Sequence, residues 1–486
     1  MPVTTIAGNP VETGHWIGGK RIDSSRRFRS VSPVDQQPLG EFARGGTREA
    51  DAAVRAASEA FPTWSRTPAE TRAELLHRIA DEVERRIPEL ATVETADNGA
   101  LLRSHVRSVM PRVAHNFRFF ADWLTGELSH PEFDTRGHRN AVSWDPSGVC
   151  VLITPWNAPL MLESWKVAPA LAAGNTVVLK PAEWSPATAS VLADITAVAG
   201  LPDGVFNVVQ GLGPEVGAPL CAHPDVARIS FTGSEATARR IAAAAAENLT
   251  PLSMELGGKS PLLVFDDADL ELAVALAVEQ YDNAGQVCLA ATRILVHSPV
   301  AEEFTARLRT AIGEIKQGDP RKDDTDVGPN IHPDHVARID GFVRRAVASG
   351  ARVLEGGGPN TELGGTYYRP TLLDQVRPGA EILREEVFGP VLTLEVFDTE
   401  REAVARADDT RFGLAATVVT SDPERARRVS AELTAGTVWV NCFFVRDLRA
   451  PFGGARHSGI GREGGTWSFD FFCDVKNTVT GPKGWR

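Results

Sequence analysis

The feature that most restricts the possible folds is a series of short, continuously apolar segments that alternate with helical segments. The segments that predict strands are 149–153, 176–180, 205–209, 228–231 and 262–265. Strands without polar alternation, separated by helices, predict a parallel sheet covered on both faces. A second alternating set runs from about residue 269 to the apolar segment 437–441. The chain is therefore expected to contain two α/β domains.

Polar and small residues follow four of these predicted strands. They form the segments 154–157, 180–183, 211–217 and 232–234. Parallel strands end at the same edge of a sheet, and ligands of open α/β sheets bind at that edge. The sequence therefore predicts a ligand site there.

A third group of residues surrounds Cys288. The segment 283–288 follows a predicted helix that begins near Asp269, and a predicted strand at 293–297 comes next. A cysteine in such a loop can be reached by a substrate, although a lone cysteine is more often a small buried hydrophobe. Cys150 lies inside an apolar strand and is expected to be a core residue. The other three cysteines, Cys221, Cys442 and Cys473, have no catalytic context.

Composition and charge exclude several function classes. The net charge is -12 and there is no long basic run, which argues against a nucleic-acid partner and an electrostatic membrane anchor. Neither an apolar run of transmembrane length nor a signal-peptide pattern is present. The odd number of cysteines and the lack of a CxxC pair predict neither a zinc site nor a disulfide framework. We expect a cytoplasmic protein without a metal.

The segments outside the two alternating sets predict further elements. Residues 1–45 are expected to be irregular, with a hairpin near 16–20. Helices follow, one with a buried stripe of Leu75, Ile79, Val83 and Ile87 and another at about 105–124. The polar segment 126–147 is expected to be an exposed arm, and 476–480 an edge strand that pairs with another subunit.

Taken together, the motifs resemble those of the aldehyde dehydrogenase superfamily over nearly the whole chain. They are 155–157, 180–183, 231–234, 255–259, 285–288, 386–390, and 451–454 followed by Ser458 and Gly459. The resemblance implies an α/β fold with two Rossmann-type domains and a small β oligomerisation arm. The NAD-binding domain would comprise 1–125 and 148–256, the catalytic domain 257–445, and the arm 126–147 with 470–486. A homodimer or homotetramer is expected.

The resemblance implies oxidation of an aldehyde to a carboxylate by a nicotinamide-dependent enzyme. Cys288 would attack the aldehyde as a thiolate. The Asn157 side chain and the Cys288 backbone N–H would stabilise the oxyanion, and Glu255 would activate the water that hydrolyses the thioester. Lys180 would help to position the cofactor ribose. Considered alone, Glu255 could be an exposed loop carboxylate, and Asn157 a turn residue bonded to its own backbone.

The cofactor implied is NAD rather than NADP. The carboxylate of Glu183, paired with Lys180, would accept hydrogen bonds from both ribose hydroxyls and would repel a 2′-phosphate. Glu386 would bind the nicotinamide ribose, with Phe388 beside it. Further cofactor contacts are expected from the strand ends: Ile153, Thr154, Pro155, Trp156, Gly213, Gly217, Phe231, Gly233, Ser234 and Leu256. Ala238 stands where the family often has glycine, so the helix is expected to approach the pyrophosphate less closely.

Segments 156–166, 445–449 and 461–465 resemble the hydroxymuconate-type semialdehyde dehydrogenases of aromatic catabolism, most closely those for 5-carboxymethyl-2-hydroxymuconate semialdehyde. Such substrates carry carboxylates, which arginine binds through two parallel bonds. The substrate contacts expected are Arg112, Trp165 and Arg446. The alternative is that Arg446, Asp447 and Arg449 form a structural ion-pair cluster.

Two other classes are open at this stage. A non-catalytic binding protein of the same fold would be expected to lack Cys288 or Glu255, and both are present. An acylating enzyme that uses coenzyme A usually lacks the deacylating glutamate. A product assay with and without coenzyme A separates that class from a hydrolytic dehydrogenase.

Overall fold

The structure is a computed structural model that describes residues 2–482. Its strands are β1 (Val3–Ile6), β2 (Asn9–Glu12), β3 (His15–Ile17), β4 (Lys20–Ile22), β5 (Arg27–Val31), β6 (Pro38–Ala43), β7 (Glu132–Thr135), β8 (His138–Pro146), β9 (Val149–Ile153), β10 (Thr176–Lys180), β11 (Phe206–Val208), β12 (Val226–Gly233), β13 (Leu252–Leu256), β14 (Pro261–Val264), β15 (Arg293–His297), β16 (Arg352–Glu355), β17 (Thr371–Asp374), β18 (Val391–Phe397), β19 (Ala415–Val419), β20 (Thr437–Val440), β21 (Gly459–Ile460) and β22 (Cys473–Thr480). Its α-helices are α1 (Thr47–Trp64), α2 (Ala69–Arg85), α3 (Ile87–Asn98), α4 (Leu102–Ser104), α5 (Met110–Asp122), α6 (Pro159–Ala172), α7 (Ala187–Val198), α8 (Ala218–Ala222), α9 (Glu235–Ala246), α10 (Leu270–Val278), α11 (Ala301–Gly313), α12 (Pro333–Ala348), α13 (Glu381–Arg384), α14 (Glu400–Ala407), α15 (Pro423–Glu432) and α16 (Gly465–Phe472).

The first sheet has the strand order β21-β13-β12-β9-β10-β11-β3-β4. Strands β13 to β11 in that order are parallel, and the flanking strands pair antiparallel. Every residue of β9 and β10 is buried. Along β9, Cys150 and Leu152 pack with α6 and α7, whereas Val149 and Val151 pack with α1 and α9. The two faces of one strand thus enter two cores, which confirms the covered parallel sheet and the core position of Cys150.

The second sheet has the order β16-β17-β18-β15-β14-β19-β20 and is parallel except at its β16 edge. The segment that the sequence pattern grouped with the first set, 262–265, lies here in β14, so that grouping is wrong. The fifth parallel strand of the first sheet is instead β13, which the pattern did not predict. Ser253 and Glu255 interrupt the apolar character of β13, and a local pattern cannot show which sheet a strand joins.

A third sheet of order β22-β8-β7 lies apart from the other two. β22 pairs antiparallel with β8 along its whole length, and its other edge is the end of the sheet. Phe133, Val475 and Val479 are 51%, 53% and 56% exposed on these strands. The strand character predicted for 476–480 is confirmed. The last residues of the predicted arm, 483–486, lie outside the described residues.

The N-terminal and helical predictions need some corrections. The hairpin near 16–20 is confirmed as β3–β4, but residues 1–45 also contain two further antiparallel pairs, β1–β2 and β5–β6. Ile87 does not belong to the stripe of α2, because it begins α3. The helix predicted at 105–124 contains α5 between two π-helical turns, His105–Val109 and Trp123–Glu127. Within residues 2–482, the helices are too short or too polar to cross a lipid bilayer.

Candidate active site

Cys288 lies in the loop between α10 and β15. Before it, the chain passes through a 3-10 segment, Glu279–Gly285, in which Asn283 has a left-handed φ of 49°. Gly285 follows with φ 70°, and a Cβ at this position would lie 2.2 Å from the carbonyl oxygen of Gly389. Any side chain at 285 would therefore collide with the neighbouring loop. The tight turn leaves the Cys288 side chain half-buried at a cavity instead of inside the core.

Asn157 lies beyond the end of β9 and is fixed against the cysteine loop. Its Nδ2 donates a hydrogen bond to the Gln286 carbonyl oxygen at 2.9 Å, and its own carbonyl oxygen accepts one from Asn283 Nδ2 at 2.9 Å. The Gln286 side chain is held in turn, because its Oε1 accepts the Ile331 N–H at 2.9 Å. An amide nitrogen has two N–H groups, so one contact to Gln286 leaves Asn157 a second donor for a ligand.

Glu255 projects from β13 into the same region and is buried. Neither of its carboxyl oxygens has a hydrogen-bond partner among the described residues. Burial raises the pKa of Glu255 well above its usual value and nearby Glu463 raises it further, while Lys166 and Arg446 lower it. A buried, unpartnered carboxyl is costly, and such perturbed groups are typical of functional sites. This environment suits a base that accepts a proton from a bound water.

The pKa of the Cys288 thiol is also shifted from its ordinary value. Burial raises its pKa to about 12, and the carboxyl groups of Glu386 and Glu255 raise it as well. Arg446 and the backbone N–H of Cys288 act in the opposite direction. The thiol is therefore protonated at neutral pH in this state, and it must lose a proton before it can act as a nucleophile.

A cavity of about 460 Å³ brings these groups together. The expected site residues that line it are Pro155, Trp156, Asn157, Trp165, Gly233, Ser234, Glu255, Leu256, Cys288, Glu386, Phe388 and Arg446. The expected site residues outside its lining are Arg112, Ile153, Thr154, Lys180, Glu183, Gly213, Gly217 and Phe231. The tertiary structure thus collects Cys288, Glu255 and Asn157 in one place, whereas Lys180 lies beyond the cavity wall.

Lys180 and Glu183 form an ion pair at the end of β10, with 2.9 Å between Nζ and Oε2. The lysine side chain is buried, while the Glu183 side chain is 37% exposed and can meet a ligand from solvent. Glu386 lies nearer to Cys288, where its Oε1 accepts the Gly258 N–H at 3.1 Å. Burial raises the pKa of Glu386 to about 7.

Helix α12 holds the segment that carries Glu386 and Phe388. Arg338 donates hydrogen bonds to the carbonyl oxygens of Glu386 and Val387, and His335 Nε2 lies 2.6 Å from the carbonyl oxygen of Phe388. Phe388 has a left-handed φ of 57°. Its ring meets Trp156 edge-on with centroids 5.3 Å apart. Sequence reasoning missed His335 and Arg338, because no motif marks α12.

On the opposite side of the cavity, Arg446 lies between two aromatic rings. Its guanidinium carbon is 3.6 Å from the ring centroid of Phe452 and 5.0 Å from that of Trp165. Asp447 pairs with Arg449 at 2.6 Å and not with Arg446. The alternative of a structural ion-pair cluster therefore applies to Asp447 and Arg449 only, and the charge of Arg446 faces the cavity.

Arg112 is half-buried on α5 and does not line the cavity. Burial lowers the pKa of Arg112, and the Asp447 carboxylate opposes this change. Arg112 in turn lowers the pKa of Arg446, after the larger effect of burial, so the two positive charges are close neighbours. Arg112 is placed to support the positive potential of this side of the cavity.

A buried polar network lies next to Glu255 and was not predicted. Glu463 accepts a hydrogen bond from Trp165 Nε1 at 2.6 Å and one from Lys166 Nζ at 2.7 Å. The Ser230 hydroxyl lies 3.3 Å from the same carboxylate. Segment 461–465 gave a family signature in the sequence, but its role depends on contacts with residues more than two hundred positions away.

Comparisons with known proteins agree with this geometry. The model of the family described as "Aldehyde dehydrogenase family" matches residues 21–478. The 2-aminomuconic semialdehyde dehydrogenase of Danio rerio is 42% identical over 475 residues, covering 96% of this chain and 97% of that protein. The 2-hydroxymuconic semialdehyde dehydrogenase of Pseudomonas sp. (strain CF600) is 42% identical over 483 residues, covering 96% and 99%. A crystal structure of betaine aldehyde dehydrogenase from Staphylococcus aureus in complex with NAD+ superimposes with a TM-score of 0.95 at 36% identity, covering 98% of this chain and 96% of that one.

Proposed function

The chain belongs to the aldehyde dehydrogenase family, and we propose that it oxidises an aldehyde to a carboxylate with NAD, using Cys288 as the nucleophile. The observation that carries the proposal is the meeting of Cys288, Asn157 and Glu255 in one cavity. These residues come from three distant parts of the chain, and each has the chemistry that one step requires.

The cysteine sulfur, after losing its proton, forms a bond to the aldehyde carbon. The aldehyde oxygen becomes an oxyanion, which accepts hydrogen bonds from Asn157 Nδ2 and the Cys288 N–H; loss of one such donor typically costs about 3–4 kcal/mol. Bound NAD would supply the hydride acceptor for this carbon, and loss of the hydride would leave a thioester on Cys288. Glu255 then removes a proton from water, the resulting hydroxide attacks the thioester, and the carboxylate product and thiolate are released.

The residues present fit a dinucleotide with an adenosine ribose at Glu183 and a nicotinamide ribose at Glu386. Glu183 lies at a strand end with its carboxylate partly exposed. This carboxylate can accept hydrogen bonds from the ribose hydroxyls and would repel a 2′-phosphate. Gly233 and Ser234 stand at the N-terminus of α9, where Ser234 caps the helix and the helix dipole favours a phosphate. Glu386 and Phe388 extend this path to Cys288.

For the substrate, we propose a hydroxymuconate-type semialdehyde from the breakdown of aromatic compounds. Two relatives with 42% identity are named for 2-aminomuconic and 2-hydroxymuconic semialdehyde. Arg446 supports this assignment, because its guanidinium faces the cavity without a carboxylate partner from its own loop. A carboxylate on the substrate would supply that partner.

We also propose that the two large sheets belong to two domains with different functions. The NAD-binding domain comprises 1–125 and 148–256, and the catalytic domain 257–445. The arm 126–147 and the tail from 470 pair with a second subunit to form a homodimer or homotetramer, which the free edge of β22 and its exposed valines support. A cytoplasmic location remains a prediction.

The direct test is NADH formation with 2-hydroxymuconic semialdehyde by the wild type, Cys288→Ala and Cys442→Ala. Cys442 is the matched control, since it is also half-buried and has no catalytic context. We expect Cys288→Ala to retain NAD binding but to have less than about a thousandth of wild-type turnover. Cys442→Ala should keep its turnover. Retained activity in Cys288→Ala would contradict the proposal, and a requirement for coenzyme A would favour the acylating class.

A further inference from the structure

Two helices that begin beside the active site lack caps of their own. Helix α6 begins two residues after Asn157, with Ala158 at its N-cap, and α7 begins four residues after Glu183, with Pro186 at its N-cap. Neither N-cap side chain accepts a hydrogen bond from a backbone N–H of its own helix. Unpaired N–H groups at a buried helix end must find acceptors elsewhere.

Both helices find acceptors on the same neighbouring helix, α3. Glu94 Oε2 accepts the Leu160 N–H of α6 at 3.1 Å and the Thr188 hydroxyl of α7 at 2.9 Å. Asp97 Oδ2 accepts the Ala187 N–H of α7 at 2.9 Å. Both carboxyl groups are completely buried.

Glu94 also lies beside the cavity wall. His105, which lines the cavity, has its Nε2 3.6 Å from Glu94 Oε1 and its Nδ1 2.8 Å from Thr95 Oγ1. Asp97 is held from the other side by the Ser30 hydroxyl at 3.1 Å. One turn of α3 therefore contacts α6, which follows Asn157, and α7, which follows Glu183. The same turn also contacts His105 in the cavity wall.

We propose that Glu94 and Asp97 are positioning residues: Glu94, which bonds the starts of both helices, holds the oxyanion donor Asn157 in place, whereas Asp97, which bonds α7 but not α6, holds the ribose carboxylate Glu183. This inference rests on the proposed function. Asn157 is joined to α6 by a single residue, so a shift of the helix start moves the amide away from the reacting oxygen. Glu183 is joined to the start of α7 by the three residues 184–186.

The test measures two quantities that a general loss of stability would change together. The first is the rate of the NADH burst at saturating NAD with 2-hydroxymuconic semialdehyde, and the second is the Kd of NAD from tryptophan fluorescence without any aldehyde. Because a displacement of about 1 Å can cost about a hundredfold in rate, we expect Glu94→Ala to slow the burst about ten- to a hundred-fold. Asp97→Ala should instead raise the Kd of NAD by about tenfold while the saturated burst rate stays within about twofold.

Conservative variants and a matched control complete the design. Glu94→Gln and Asp97→Asn keep an acceptor oxygen in place and should restore wild-type values. Glu163→Gln is the control, because Glu163 is an equally buried carboxyl on α6 whose oxygens have no partner among the described residues. It should change neither quantity. If Glu94→Ala does not fold, Glu94→Asp moves the acceptor back by one methylene and should show the same loss of rate.

Particular outcomes overturn the inference. It fails if Asp97→Ala slows the saturated burst as much as Glu94→Ala does, or if Glu94→Gln is as slow as Glu94→Ala. It also fails if both quantities change in proportion to the fall in melting temperature. A wild-type enzyme that forms no NADH from the aldehyde would instead contradict the proposed function, while the Kd measurement on Asp97 variants would still test their role.

Discussion

Replacing Arg446 tests the substrate assignment most directly. The flat guanidinium lies between Phe452 and Trp165, with 3.6 Å and 5.0 Å to the two ring centroids, so its orientation is fixed before a substrate binds. Arg446→Lys keeps a positive charge but loses the planar fork that binds a carboxylate through two bonds. Arg446→Met removes both the fork and the charge.

The expected size of the effect follows from the contact that is lost. A charge-assisted, bidentate hydrogen bond contributes about 1.5–3 kcal/mol, and about 1.4 kcal/mol corresponds to a factor of ten. We therefore expect kcat/KM for a carboxylate-bearing semialdehyde to fall about three- to tenfold in Arg446→Lys, which loses one of the two bonds, and about ten- to a hundred-fold in Arg446→Met, which loses both. Arg446→Met also removes the charge that lowers the pKa of Glu255 and of Cys288.

The assay compares 2-hydroxymuconic semialdehyde with sorbaldehyde, a conjugated dienal that ends in a methyl group instead of a carboxylate. The ratio of the two kcat/KM values removes any effect on Cys288 or Glu255, since both substrates share those steps. Arg449→Ala is the matched control, because Arg449 pairs with Asp447 at the surface. Equal losses on both substrates in Arg446→Lys would refute carboxylate recognition by Arg446.

Three further predictions follow from the same structure. Glu255→Gln should give an NADH burst of about one per active site and then very slow turnover, because hydrolysis needs the base and acylation does not; a variant that loses the burst as well places Glu255 in an earlier step. Because burial raises the pKa of Cys288 to about 12, its alkylation by iodoacetamide without cofactor should accelerate about tenfold per pH unit from about pH 6 to 9, and a plateau within that range would show a thiolate that this environment does not favour. Glutamate at both Val475 and Val479 should shift the 52.3 kDa chain toward monomer in light scattering, whereas an unchanged mass would show that this edge is not the subunit contact.

The loop structure before Cys288 could be predicted from the sequence because its requirements are local. Gly285 must be glycine where the chain turns against Gly389, and Cys288 follows that turn directly. The covered sheet could be predicted for a similar reason, since β9 and β10 are apolar at almost every position and their burial on both faces needs nothing else.

Only the tertiary structure decided what surrounds these residues. Strand β13, in which Ser253 and Glu255 interrupt the apolar pattern, joins the first sheet by pairing with β12 and with β21, and β21 lies far from it in the sequence. The pair of Asp447 and Arg449 is local, but the position of Arg446 at the cavity depends on Phe452 and on Trp165, which is far from it in the chain.

The pKa values of the site residues likewise cannot be predicted from the sequence alone. Glu255 has the same carboxyl group as any surface glutamate, and its raised pKa comes from its burial, with the segment around Gly453 against it, and from nearby Glu463. Glu94 gave no signal in the pattern, because its partners at Leu160 and Thr188 are brought to it only by folding. Residue types and spacing determine which chemistry the chain can perform, whereas desolvation and long-range contacts determine which atoms perform it.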